Sequence, residues 1–255
     1  MQVTLATDPG TPGWPNEDFA AVAPGAAVLL DGCTTVPRTR DTGCRHGVAW
    51  YARTLGSAVL GAITADPAPP LADALAAAIA AVCASHDGTC DLANPATPAA
   101  TVTAVRVTPG GVDLLALSDS VIAADYGPDR APLVITDDHR AASVSPAAAG
   151  RARIATLPLA GLRGIAMLSD GATRIADSYG VLSWSDLLAV LRGPGPAELI
   201  GQVRAAEDAD PDCSRWPRSK ARDDATAIYW PLPSEPLALA AGPGGSGPNS
   251  RIKYF

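Results

Sequence analysis

With 255 residues, 47% of them hydrophobic, the chain can bury a sizeable core and still form one mid-sized domain. Its net charge of −7 argues against nucleic acid as a partner, because a phosphate backbone is bound through a basic footprint. No apolar stretch approaches the roughly 20 residues that cross a bilayer, and the N-terminus lacks the basic-then-apolar layout of a signal peptide, so a cytoplasmic protein without a membrane partner is expected.

In chain order the first signals are acidic. Asn16-Glu17-Asp18 opens into the apolar run Phe19-Ala20-Ala21-Val22-Ala23, and Ala26-Ala27-Val28-Leu29-Leu30 leads into Asp31-Gly32. A continuous apolar run of about five residues bounded by a turn signal reads as a buried strand, and the glycine permits a turn or a close backbone approach. Val48, Ala52, Leu55 and Val59 then recur at helical spacing, as do Leu71, Leu75, Ile79 and Val82, which predicts two amphipathic helices. The prolines from Pro67 to Pro70 separate them. Five cysteines, Cys33, Cys44, Cys83, Cys90 and Cys213, are an odd number without framework spacing and read as reduced thiols. The stretch from Cys83 through His86 to Cys90 fits no standard zinc spacing and reads as structural or loop residues.

Strands are expected over 101–107, 112–117 and 121–125, the first two joined across Pro109-Gly110-Gly111 as a hairpin. Ile165-Ala166-Met167-Leu168-Ser169 repeats the earlier grammar by leading into Asp170-Gly171. Helices follow over 184–191, capped by Ser183 or Ser185, and over 197–206, entered through Pro196. Arg222-Asp223-Asp224 opens the last strand, Ala225-Thr226-Ala227-Ile228-Tyr229-Trp230. Residues 1–230 are expected to form the folded domain, and the Pro/Gly/Ser-rich segment 231–255 a C-terminal tail with too little apolar content to fold alone.

Asp18, Asp31, Asp170 and Asp223 thus all stand at the ends of core strands. Their convergence is unfavourable unless a cation sits between them, since like charges and desolvation both oppose ionisation. Carboxylates and backbone carbonyls suit hard ions that prefer octahedral oxygen ligation, namely Mn or Mg.

Six motifs in this order resemble the metal-dependent serine/threonine protein phosphatases of type 2C, the PPM family. They are Asn16-Glu17-Asp18, Asp31-Gly32, Ala100-Thr101-Val102-Thr103-Ala104-Val105, Ser118-Asp119-Ser120, Ser169-Asp170-Gly171 and Asp223-Asp224-Ala225-Thr226. The resemblance implies an α+β fold, a four-layer α-β-β-α sandwich of two mainly antiparallel sheets flanked by helices. It also implies two Mn or Mg ions held by Asp18, Asp31, Asp170 and Asp223 and the Gly32 carbonyl, with Asp119 offering a weaker third position. The implied activity is hydrolysis of phosphoserine or phosphothreonine in a phosphorylated protein or peptide, by a water shared between the metals.

The chain departs from the pattern at three places. No basic residue stands in Pro12-Gly13-Trp14-Pro15, where the family usually has a phosphate-binding arginine; Ser118 replaces a glycine; and Cys33 stands where many eukaryotic members have histidine. Arg38, Arg40 and Arg45, just after Asp31-Gly32, are therefore the candidates for holding the phosphate. The alternative is a phosphatase-like binding or regulatory module with little or no turnover. A haloacid-dehalogenase-like enzyme would need an acid where Cys33 stands.

Overall fold

The structure, a computed structural model, describes residues 2–33, 42–86, 88–137 and 145–233. Its strands are β1 (Thr4–Asp8), β2 (Asp18–Ala23), β3 (Ala26–Cys33), β4 (Ala99–Ala100), β5 (Val102–Thr108), β6 (Gly111–Leu117), β7 (Val121–Asp125), β8 (Leu133–Ile135), β9 (Arg153–Leu157), β10 (Gly164–Leu168) and β11 (Ala225–Pro231). The helices are α1 (Val48–Ala65), α2 (Leu71–Ser85), α3 (Asp170–Asp177), α4 (Trp184–Arg192) and α5 (Pro196–Asp208), with a 3₁₀ turn over Pro146–Arg151. One sheet runs β1-β11-β10-β7-β8 and the other β2-β3-β5-β6-β9, with β4 beside β3. Every pairing is antiparallel.

Strand alternation explains how two sheets and two helical layers hold together. Successive β3 side chains point to opposite faces. Ala27 and Leu29 pack between the sheets with Val105, Leu114, Ile122, Ile165, Met167 and Ile228. Val28 and Leu30 face the other way, into a cluster with Leu55 and Val59 of α1 and Leu75 and Ile79 of α2. On the far side Ala166 and Leu168 of β10 meet Ile175, Leu187, Leu191, Leu199 and Val203 from α3, α4 and α5. Three apolar clusters thus fill the three gaps of an α-β-β-α sandwich, which is the expected fold.

The sequence pattern located α1, α2, α4 and α5 well. Ser183 caps α4 through a reciprocal capping box with Asp186. The hairpin between β5 and β6 pairs Thr108 with Gly111. Unforeseen are β1, which pairs with β11, the short edge strands β8 and β9, and α3. The Asp170-Gly171 pair therefore starts a helix rather than ending in a turn. Leu232, just past β11, is buried and donates its N–H to Arg163 O at 2.8 Å; of the expected tail, residues 234–255 lie outside the described residues. Among the described residues no helix is long and apolar enough to cross a membrane.

Candidate metal centre

The register between β2 and β3 sets Asp18 directly opposite Asp31, so the two carboxylates share one sheet end. Gly32 stays within the strand, and its N–H donates to Glu17 O at 3.1 Å. A Cβ at Gly32 would lie 2.5 Å from that oxygen and 2.6 Å from Val48 Cγ1, so the close approach needs the missing side chain. Thr101 fixes the other edge of β3: its Oγ1 accepts from Asp31 N at 3.1 Å, its N donates to Asp31 O at 2.8 Å, and its hydroxyl meets Ser120 Oγ at 2.6 Å.

The second sheet delivers Asp170 and Asp223. Ser169 N donates to Thr226 O at 3.0 Å and Ser169 Oγ accepts from Thr226 N at 2.9 Å, tying the ends of β10 and β11 together. Ser169 is the N-cap of α3 and Asp170 its first residue, where the positive end of the helix favours a carboxylate. Gly171 permits this approach too, since a Cβ there would lie 2.0 Å from Asp224 O. Asp224 is a buttress: its carboxylate accepts from Gly10 N at 2.8 Å and Glu17 N at 2.7 Å, pinning the β1–β2 connection across the site.

The charges of the four carboxylates act on one another. Burial and the charges of Asp18, Asp170 and Asp223 raise the Asp31 carboxyl well above its usual range. Burial pushes Asp18 up to about 7, with Asp224 and Asp170 adding to the rise and the nearby Thr226 and Ser169 hydroxyls opposing it. Neither hydroxyl reaches hydrogen-bonding geometry, and both carboxylate oxygens of Asp18 are buried without a hydrogen-bond partner. Burial and Asp223 raise Asp170 against the pull of Arg174. A buried anion with two orphan oxygens is costly, and a divalent cation relieves that cost. The donor set fits one, with oxygens from Asp18, Asp31, Asp170 and Asp223 gathered from both sheets.

Asp119 is exposed at the mouth, close enough to raise Asp170 and Cys33. Burial, then the Asp119, Asp170 and Glu17 charges, push the Cys33 thiol up to about 11, so it stands as a neutral thiol. Ser118 keeps φ at 71°, the left-handed angle that a glycine would hold without strain; the replacement leaves the turn in place.

Two basic residues here escaped the sequence reading. Arg174 Nη2 lies 2.6 Å from Asp223 Oδ2 and 3.6 Å from Asp170 Oδ2, and Lys220 Nζ lies 2.8 Å from Asp223 Oδ1. Arg174 sits four residues after Asp170, a helical neighbour that becomes visible only once α3 is recognised. Of the expected phosphate-binding candidates, Arg45 is exposed and its backbone N–H points to Cys90 Sγ at 3.4 Å. Arg38 and Arg40 lie outside the described residues.

The family model of protein phosphatase 2C matches residues 11–202. Solved structures share the fold. The Ser-Thr phosphatase MsPP of the PPM family from Mycobacterium smegmatis, in complex with cacodylate, is 18% identical with a TM-score of 0.60, over 91% of this chain and 99% of that one. The catalytic domain of the phosphatase PstP in complex with two manganese ions is 18% identical with a TM-score of 0.56, over 91% and 98%. PppA, a regulatory component of a secretion system in Pseudomonas aeruginosa, gives 18% and 0.57 over 91% and 97%. A comparison with curated proteins finds no sequence match. The match across most of the chain places it in the protein phosphatase 2C family of metal-dependent phosphatases.

Proposed function

We propose that the chain hydrolyses phosphoserine or phosphothreonine in proteins, at a two-cation centre held by Asp18, Asp31, Asp170, Asp223 and the Gly32 carbonyl. The observation that carries this reading is the pair of buried, unpartnered Asp18 oxygens facing Asp31. When bound, two divalent cations would supply Lewis acidity and lower the pKa of a bound water, so that it gives up a proton and can act as the nucleophile on phosphorus. Mn is the first choice because a family member of the same fold is described with two manganese ions, and Mg has the same ligand preference. Asp119 would add a weaker third position.

The chain's own residues do the rest. Thr101, Ser169 and Asp224 hold the strand ends, so the carboxylates keep their spacing as cations come and go. Arg174 and Lys220 are the described cations already paired with these carboxylates, and either could turn a charged N–H toward a phosphate oxygen. That makes them better placed than Arg45 for the role the missing upstream arginine leaves open. Arg174 also supports a second reading, a phosphate-reading module with little turnover, because its guanidinium already offsets Asp223 and Asp170.

Hydrolysis of an aryl phosphate and of a phosphothreonine peptide, with Mn, Mg or chelator, separates these readings. The expected result is cation-dependent turnover and a loss in Asp170→Asn of at least about a hundredfold in kcat/KM, roughly 2.7 kcal/mol of transition-state stabilisation. Turnover that persists in chelator overturns the proposal. A rise in Tm with Mn but no hydrolysis identifies the binding module.

A further inference from the structure

Away from the carboxylates, a second group of donors assembles from two distant segments. Cys44 and His46 precede α1, and His86 and Cys90 follow α2. One donor atom from each lies within 4.8 Å of all the others. Nδ1 of His46 is 3.7 Å from Cys44 Sγ and 3.6 Å from Cys90 Sγ. A tetrahedral zinc with Zn–S near 2.3 Å and Zn–N near 2.0–2.1 Å sets sulfur and nitrogen ligands roughly 3.6 Å apart, so these separations are edges of such a tetrahedron.

The surroundings are built as a ligand shell. Nδ1 of buried His86 donates to Val82 O at 2.8 Å, which fixes the tautomer and leaves Nε2 as the electron-pair donor. The backbone N–H of Arg45 points to Cys90 Sγ at 3.4 Å and Thr89 Oγ1 lies 3.7 Å from it, contacts that suit a thiolate. His46 stacks on Trp50 with centroids 4.0 Å apart, and His86 meets both rings edge-on at 5.0 and 5.3 Å, which holds the imidazoles in orientation. Asp91 N donates to Gly43 O at 2.7 Å, a backbone clasp joining the same two segments.

We propose that Cys44, His46, His86 and Cys90 form a structural zinc site. Two thiolates and two imidazoles select zinc over the Mn or Mg suited to the carboxylates. With all four positions filled by protein, the ion has no open coordination position for chemistry and acts as a staple. It fastens the start of α1 to the end of α2. Sequence spacing concealed the site, because the stretch from Cys83 to Cys90 supplies only half of the ligands and Cys83 is not among them.

The test is metal analysis and cobalt exchange on the full chain, purified under thiol reductant. The expected result is one zinc per chain, exchangeable for Co²⁺ with thiolate-to-cobalt charge-transfer absorption and tetrahedral d–d bands. The carboxylate centre cannot produce that absorption, and Asp31→Asn should retain it. Cys44→Ser and Cys90→Ser should each abolish or strongly reduce it, whereas Cys83→Ala and Cys213→Ala should leave it intact. Reduced, folded parent protein that shows no thiolate–cobalt absorption overturns the proposal without any variant. So does absorption that survives the Cys44→Ser, Cys90→Ser double substitution, or a Cys44–Cys90 disulfide that persists under reductant.

Discussion

Asp18 and Asp210 are both buried aspartates, 9% and 3% exposed, yet they have opposite electrostatic fates. Asp210 accepts from Arg215 N at 2.9 Å, Trp216 N at 3.1 Å and Arg218 Nη1 at 2.5 Å. Burial works against its charge, but donation from the Arg215 N–H, Arg218 and the Trp216 N–H holds its carboxyl down to about 2. Asp18 has no such donors and is pushed up to about 7. A carboxylate that accepts three hydrogen bonds, with both oxygens partnered, is a structural device. One kept buried without partners beside other carboxylates either holds its proton or needs a cation.

The largest effect expected from this contrast is a difference of sign. In chelator at or above about pH 7, where the carboxyl gives up its proton, Asp18→Asn should raise stability by on the order of 1 kcal/mol or more, because an uncompensated buried charge is removed, and it should abolish stabilisation by Mn. Asp210→Asn should lower Tm whether or not Mn is present. Equal signs in thermal unfolding would erase the distinction drawn between the two sites.

A pH series sharpens it. The folded state holds the Asp18 proton longer than the unfolded state does, so in chelator its contribution falls as pH rises from 3.8 through about 7. Asp210 has a depressed pKa, so its contribution is fully present above 3.8 and is lost as pH falls through about 2. The Tm increment from Mn should therefore grow between about pH 4 and pH 7, where the carboxylates must give up protons to bind a cation. Asp18→Asn should flatten that growth, and Asp210→Asn should not.

Arg174 gives an effect of similar size but of one sign. It supplies Asp223 with the kind of partner that Arg218 gives Asp210, but at a site that also needs cations. Arg174→Ala should lower Tm in chelator and tighten Mn binding by on the order of tenfold, about 1.4 kcal/mol, measured by calorimetry. Unchanged Mn affinity would mean that the guanidinium withdraws when cations arrive.

Much of this was legible in the sequence. The runs that became β3 and β10 are apolar on both faces because each lies inside a sheet covered on both sides, and their acidic ends pointed to the carboxylates proposed to hold cations. Edge strand β1 was hidden, since its alternation of exposed and half-buried residues resembles loop. Helix α3 was hidden by Asp170-Gly171, a turn signal used here for close contact with Asp224. Arg174 and Lys220 gained their roles only through tertiary placement, and the Cys/His cluster joins Cys90 to His46 across 44 residues.

The smallest expected change is at Ser118. The left-handed backbone costs an L-residue roughly 1–2 kcal/mol, part of which is offset by the greater unfolded-state freedom of glycine. Ser118→Gly should therefore stabilise by less than about 1 kcal/mol in denaturant titration, with the Asp119 turn retained.

The pairing of β1 with β11 also dictates the order of assembly during synthesis. Thr4 bonds to Tyr229, 225 residues later, and Glu17 is tied to Asp224, 207 residues later. Such distant closures come late because their loop entropy must be met before any contact rewards it. On the ribosome the sheet of β2, β3, β5, β6 and β9 can form with its two helices while β1 waits unpaired. Asp223, the fourth carboxylate of the proposed centre, arrives only with β11, so a nascent chain stalled before it is expected to be folded in half and catalytically silent.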